Sequence, residues 1–253
     1  MRYLRILYRS RLLLNALFLI LLFTSNSCRK SSPLDCFKST GKEITEARSS
    51  GVFDKISLND NVNLVLKHDT IRSISVTGGK NVLKKVKTNI SEGVLTIENQ
   101  NSCNWVRSFD KEITVYVNID TLRRIEYYGS GDINCSNTII SDSMQLDVWE
   151  GAGDINMKVN NHRNIIYFHI GTSDINYQGS STLSYISLSS FGPIDARALE
   201  TNFTYIGNSG SNNCYIWAHT KIDANINGLG NIYYKGDAEI SLDLSGDGRL
   251  IKL

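Results

Sequence analysis

A chain of 253 residues, 41% of them hydrophobic, can bury one full core as a single elongated domain. The formal charge of +2 owes much to Arg2, Arg5, Arg9 and Arg11, which stand before any acidic residue; subtracting those four charges leaves about −2 for the rest, so a nucleic-acid partner gains no electrostatic support. Five cysteines and four scattered histidines (His68, His162, His169 and His219) lack metal-ligand spacing, which argues against a Cys/His metal centre, and no cofactor is expected.

Residues 1–27 read as a lipoprotein signal peptide. The four arginines form a basic start, and Leu12–Phe23 is an apolar run broken only by Asn15, long enough for a signal core and short for a bilayer span. The run ends in Thr-Ser-Asn-Ser before Cys28, which resembles a lipobox except that Ser25 stands where leucine is usual. Cys28 is the expected lipid anchor, since two or three acyl chains hold a protein stably on a membrane. The alternative is a conventional secretory signal with an incidental cysteine. Residues 28–50, rich in Ser, Lys, Thr and Gly, read as a flexible tether leading to a single domain over 51–253. Cys36 and Cys103 lie in polar, loop-like contexts and are expected to form a disulfide, with Trp105 packed over it; Cys135 and Cys214 fall in separate strands and are expected to be free, buried thiols.

From Val52 onward the pattern is alternation with a period of two. Phe53, Ile56 and Leu58 lead to Val62, Leu64 and Leu66, then to Ile74 and Val76. Val82–Val86 offers at most one helical turn. Glu92-Gly93 marks a hairpin or a corner between Ile90 and Val94. After a polar loop, Ile113, Val115 and Val117 begin another strand.

The C-terminal half then repeats one phrase: Gly129-Ser-Gly-Asp-Ile-Asn134, Gly151-Ala-Gly-Asp-Ile-Asn156 and Gly171-Thr-Ser-Asp-Ile-Asn176. Aligning on the glycine puts corners at Gly129, Gly151, Gly171, Gly192, Gly210, Gly228 and Gly246, with spacings of 18–22 residues. A repeat of that length predicts an all-β, parallel β-solenoid (β-helix) of about seven C-terminal coils with a strand-rich N-terminal part. The expected inward column after each corner is Ile133, Ile155, Ile175, Ile194, Cys214, Ile232 and Leu250. The columns expected before the corners include Leu146/Val148, Ile166/Phe168, Ile186/Leu188, Phe203/Tyr205, Ile222/Ala224/Ile226 and Leu242/Leu244. The glycines are read as positions of positive φ. Asn134, Asn156 and Asn176 are expected to hydrogen-bond along the axis.

These residues carry a resemblance. Gly129-Ser-Gly-Asp-Ile-Asn134, Gly228-Leu-Gly-Asn-Ile-Tyr-Tyr-Lys-Gly236, Gly246-Asp-Gly248 and the opening Phe53-Asp-Lys-Ile-Ser with Val62-Asn-Leu64 resemble the family called putative auto-transporter adhesin, head GIN domain, over about residues 50–253. The resemblance implies a parallel β-solenoid in exported bacterial proteins, often lipoproteins, with no catalytic residues. Asp174 follows Thr-Ser where the other copies have a second glycine, and Gly192-Pro-Ile is one residue short, so these two corners are expected to be the least regular.

Three constellations remain. If a cation is bound at all, Asp132, Asp154 and Asp174 would hold it, because stacked carboxylates must be solvated, bonded to corner amides or bridged. The nonapeptide calcium repeat is absent. A polysaccharide-cleaving site would set such carboxylates beside a basic column, and the sequence shows none; no nucleophile elbow, phosphate loop or zinc-helix motif occurs. Aromatic residues are numerous: by strand parity Trp149 and Trp217 point outward, and with Tyr167 they form the expected binding surface; Tyr177, Tyr215, Tyr233 and Tyr234 are read as surface residues as well. The resulting expectation is a lipid-anchored, non-enzymatic binding or structural module of the bacterial cell envelope, on the outer membrane, adhesive in character. Its partners would be the membrane through lipidated Cys28, a glycan or an envelope protein, and a second copy of itself. The runner-up is a β-helix lyase or hydrolase acting on polysaccharide.

Overall fold

The computed structural model describes residues 39–101 and 112–253. Cys28, Cys36, Cys103 and Trp105 lie outside the described residues. The described residues form seventeen strands and a single helical turn, α1 (Lys80–Leu83). The strands are β1 (Glu43–Arg48), β2 (Lys55–Asp60), β3 (Asn63–His68), β4 (Ser73–Gly79), β5 (Val86–Ser91), β6 (Val94–Asn99), β7 (Thr114–Ile119), β8 (Arg124–Gly129) and β9 (Ile133–Cys135). There follow β10 (Ile139–Val148), β11 (Ile155–Phe168), β12 (Ile175–Leu188), β13 (Ile194–Asn208), β14 (Cys214–Ile226), β15 (Ile232–Lys235), β16 (Glu239–Leu244) and β17 (Leu250–Lys252).

Each long strand from β11 to β14 bends at its middle and serves two faces of a parallel β-solenoid. Face 1 runs β1-β4-β7-β3-β9, then the first halves of β11–β14, then β15 and β17. Face 2 runs β5-β6-β2-β8-β10, then the second halves of β11–β14, then β16. The stack holds about six turns; the segment after the seventh corner glycine supplies only the three-residue β17.

The core is a set of axial columns. On face 1, Val115, Leu64, Ile133, Ile155, Ile175, Ile194, Cys214 and Ile232 are in register and buried, the column expected after the corners. On face 2, Leu95, Ile56, Ile125, Leu146, Ile166, Ile186, Ile206 and Ala224 stack in the same way. Each such side chain contributes roughly 1.5–3 kcal/mol by leaving water.

Four expectations are corrected. The tether does not reach residue 50, because Glu43–Arg48 is β1, antiparallel to β4, with Thr45 and Thr77 hydroxyls 2.8 Å apart. The strand-rich N-terminal part stacks as coils of the same solenoid, and within it β2–β3 sits between β6–β7 and β8–β9, out of chain order. Phe203 and Tyr205 face outward, and Thr204, Ile206 and Asn208 fill the core, because the short coil shifts β13 by one residue. Tyr177 is buried, and Tyr234 packs partly against the core. Of the seven corner glycines only Gly171 has positive φ (+142°). Gly129, Gly192, Gly210, Gly228 and Gly246 lie where a neighbouring coil's backbone comes too near for a Cβ, so that one at Gly129 would strike the Asp60 carbonyl and one at Gly228 the Gly210 carbonyl, whereas at Gly151 it would meet the side chains of Val148, Ser173 and Tyr127.

Local details follow the same logic. Glu92 and Gly93 both have positive φ and close the β5–β6 hairpin in the two-residue form that matches strand twist. The β12–β13 and β13–β14 registers slip just beyond the Asp174 and Gly192 corners. Cys135 and Cys214 are free; Cys214 is buried, whereas Cys135 is half-buried against Met157. Burial pushes the Cys135 thiol up to about 11 and Cys214 higher still.

Candidate binding face

Alternation decides which side chains reach solvent. In β10, Leu146 and Val148 turn inward, so Asp147 and Trp149 turn outward on face 2. In β11 the same rule turns Ile165 and Tyr167 outward and, one residue past the strand, His169, each of them half-buried. The parallel register then builds outer columns. One runs Arg124, Gln145, Ile165, Tyr185 and Tyr205, and its neighbour runs Glu126, Asp147 and Tyr167. Beside them Tyr128, Trp149 and His169 lie nearly parallel, Trp149 and His169 with ring centres 3.7 Å apart and Tyr128 6.5 Å from Trp149. Tyr167 bridges the columns, 5.8 Å from His169 and 5.6 Å from Tyr185. Trp149 and Tyr205 are each 38% exposed.

A charged network borders this patch. Arg124 Nε donates to Asp147 Oδ2 (2.9 Å) and its Nη2 meets Glu126 (3.0 Å), while Gln145 Nε2 donates to both Asp147 oxygens. Asp147 is only 2% exposed although it points outward, covered by its neighbours. His169 Nε2 stands 3.8 Å away. A carboxylate so placed is held by charge-assisted bonds, which fix the aromatic rows around it. Tyr128, Tyr185, Tyr205, His169 and Asp147 were missed by sequence reasoning, although the outward parity of β11 that exposes Tyr167 also exposes His169.

Trp149 and Tyr167 thus come together on face 2, and Trp217 does not join them. It lies on face 1, its ring covered by Lys235 Nζ at 3.7 Å. Nearby, Tyr215 stacks on Tyr233 (4.9 Å) beneath Arg197 (4.6 Å), which also clasps Asp195 and holds that carboxyl below its usual range. A cavity of about 370 Å³ opens beside Arg197, lined by Asn156, Asn176, Gln178 and Asp195.

The acidic column is corner chemistry. Asn63 Oδ1 accepts from the Asp132 amide (2.8 Å) and Asp132 Oδ1 from the Asp154 amide (2.9 Å); Asn213 and Asn231 repeat the pattern onto Asn231 (3.0 Å) and Arg249 (2.8 Å). Asp174 continues the column on the exposed edge. No group of three or more His, Cys, Asp or Glu side chains among the described residues could hold a metal ion. The asparagine ladder forms as expected: Asn156 Nδ2 donates to Asn134 Oδ1 (3.0 Å) and Asn176 Nδ2 to Asn156 Oδ1 (3.1 Å).

Two stacked sheet faces built from Gly-cornered coils define a protein of the parallel β-solenoid class. The chain belongs to the family described as putative auto-transporter adhesin, head GIN domain, whose match spans residues 52–238. Its fold is similar to that of a putative adhesin from Bacteroides fragilis (TM-score 0.76, 21% identity, 84% of this chain and 97% of that one). It is also similar to a putative lipid binding protein from Parabacteroides distasonis (0.67, 19%, 85% and 98%) and a putative adhesin from Parabacteroides merdae (0.57, 17%, 85% and 98%). At these identities the likeness concerns the fold. No curated protein matches the chain. Membership in an adhesin-like family fits a non-enzymatic binding role and an exported or envelope protein.

Proposed function

We propose that this chain is a lipid-anchored binding module of the bacterial outer membrane that meets its partner through face 2. The observation that carries the reading is the contiguous outer patch of Tyr128, Trp149, Tyr167, His169, Tyr185 and Tyr205 on one sheet. Exposed aromatic patches of this kind mark contact surfaces, since rigid rings bring large area at small entropy cost. A protein surface suits the patch better than a glycan does. His169 occupies one face of Trp149, so the rings offer mainly edges and hydroxyls, while sugar stacking needs open ring faces. Within the acid column Asp132 accepts from a corner amide rather than from a base, which supports binding over polysaccharide cleavage. The anchor is Cys28, by the signal argument.

The test uses the full chain expressed in a bacterial envelope. Wild type is expected to fractionate with the outer membrane and to retain an envelope protein in pull-down. Cys28→Ala should lose the membrane association, and the triple variant Trp149→Ala/Tyr185→Ala/Tyr205→Ala should lose at least tenfold in partner retention with unchanged circular dichroism. Retention unaffected by the triple variant, or binding to a glycan array that the variant leaves intact, would remove face 2 from the reading.

A further inference from the structure

One corner of the solenoid is polar on its inside. Where β10–β13 bend from face 1 to face 2, two inward columns run side by side along the axis. The first is Ser141, Asn161, Ser181 and Thr201, and the second is Met144, Asn164, Ser184 and Thr204. Asn161, Asn164, Ser181, Ser184, Thr201 and Thr204 are all buried, Asn164 completely.

The coils satisfy this polarity differently. At the β13 level the columns close on each other: Thr201 Oγ1 and Thr204 Oγ1 are 2.8 Å apart, and Thr201 Oγ1 donates to the Trp217 carbonyl (2.6 Å). In β12, Ser181 Oγ donates to the Leu183 carbonyl (2.9 Å), while Ser184 Oγ has no protein partner. In β11 the Nδ2 and Oδ1 atoms of both Asn161 and Asn164 lack one, and so does Ser141 Oγ in β10. Six buried polar atoms in three adjacent coils therefore find no partner among the described residues. Left dry, that number would cost about as much as a domain's usual margin of stability.

We infer that this corner is a binding site for ordered water, a short axial file spanning the β10–β12 levels and ending at the Thr201–Thr204 pair. The donor set selects the ligand. Two amide NH2 groups would repel a cation, two amide carbonyls would repel an anion, and the hydroxyls serve either role. Only a small molecule that both donates and accepts completes all of them, and water in such sites takes two to four hydrogen bonds. The file ends at β13 because threonine hydroxyls on neighbouring columns reach each other directly, leaving no polar atom for a further water.

Deuteron relaxation dispersion on the full chain counts long-lived internal waters. The double variant Asn161→Thr/Asn164→Thr copies the closed level onto β11 and should lower the count by at least one with unchanged circular dichroism. An equal count in the two proteins would overturn the inference. A crystal structure of the wild type gives a second readout that needs no variant. It should place water within hydrogen-bond distance of the Asn161 and Asn164 amides, and two amides bonded directly to each other with nothing between would sink the idea.

Discussion

The Tyr127 hydroxyl, buried inside β8, donates to the Gly131 carbonyl (2.7 Å) and accepts from the Gly153 amide (3.1 Å). It thereby ties the corners of two successive coils at the points where a Cβ would not fit. Tyr127→Phe would orphan both backbone groups and should destabilise by about 1–3 kcal/mol in urea denaturation. Burial pushes this phenol up to about 12 from an ordinary value of 10.0. A folded-state value above the unfolded one means that the contribution is intact below pH 10 and is lost as pH rises through 12. The wild type should therefore lose stability between those limits, and the variant should lose less. Equal slopes would show that Tyr127 is not the responsible group.

At the scale of an element, the corner ladder is a row of side-chain acceptors, each taking the amide of the coil above. Asp132 works there through one oxygen, so its charge is incidental to the bond. Asp132→Asn keeps the acceptor and should leave the urea midpoint nearly unchanged, whereas Asp132→Ala should cost roughly 0.5–1.5 kcal/mol. If the column held a cation, both variants would abolish a calcium-dependent rise in melting temperature, and Asn would fare no better than Ala. Much of this element was legible beforehand. The Asn134–Asn156–Asn176 ladder and the Ile column follow directly from a repeat that places like residues in like positions. The reason for the glycines was not legible, because positive φ and close approach leave the same mark on a sequence. Only the neighbouring coil's carbonyl separates the two causes.

For the whole molecule, the two ends of the stack differ. At the N-terminal end antiparallel β1 and β5 close the faces, and Val82 and Leu83 of α1 are buried. On β16, Leu242 and Leu244 continue buried columns yet are 45% and 51% exposed. An exposed edge with inward apolar residues invites pairing with another strand. Self-association should therefore run through β16, and Leu242→Lys/Leu244→Lys should reduce the concentration dependence of the mass measured by light scattering. The same loss from Tyr185→Lys alone would move the contact to face 2.

The sequence by itself determined the solenoid, its corners and most of its core, since a repeat period and a two-residue alternation are local properties that each coil satisfies alone. It also exposed Trp149 and Tyr167 by parity. Tertiary structure alone decided three things. The insertion of β2–β3 between later strands depends on pairing between distant segments, which no local pattern encodes. The outward turn of Tyr205 depends on a one-residue shift that only the β12–β13 register reveals. The separation of Trp217 from Trp149 depends on the face each reaches, Trp217 in the first half of bent β14 and Trp149 just past the end of β10, and both faces alternate in the same way.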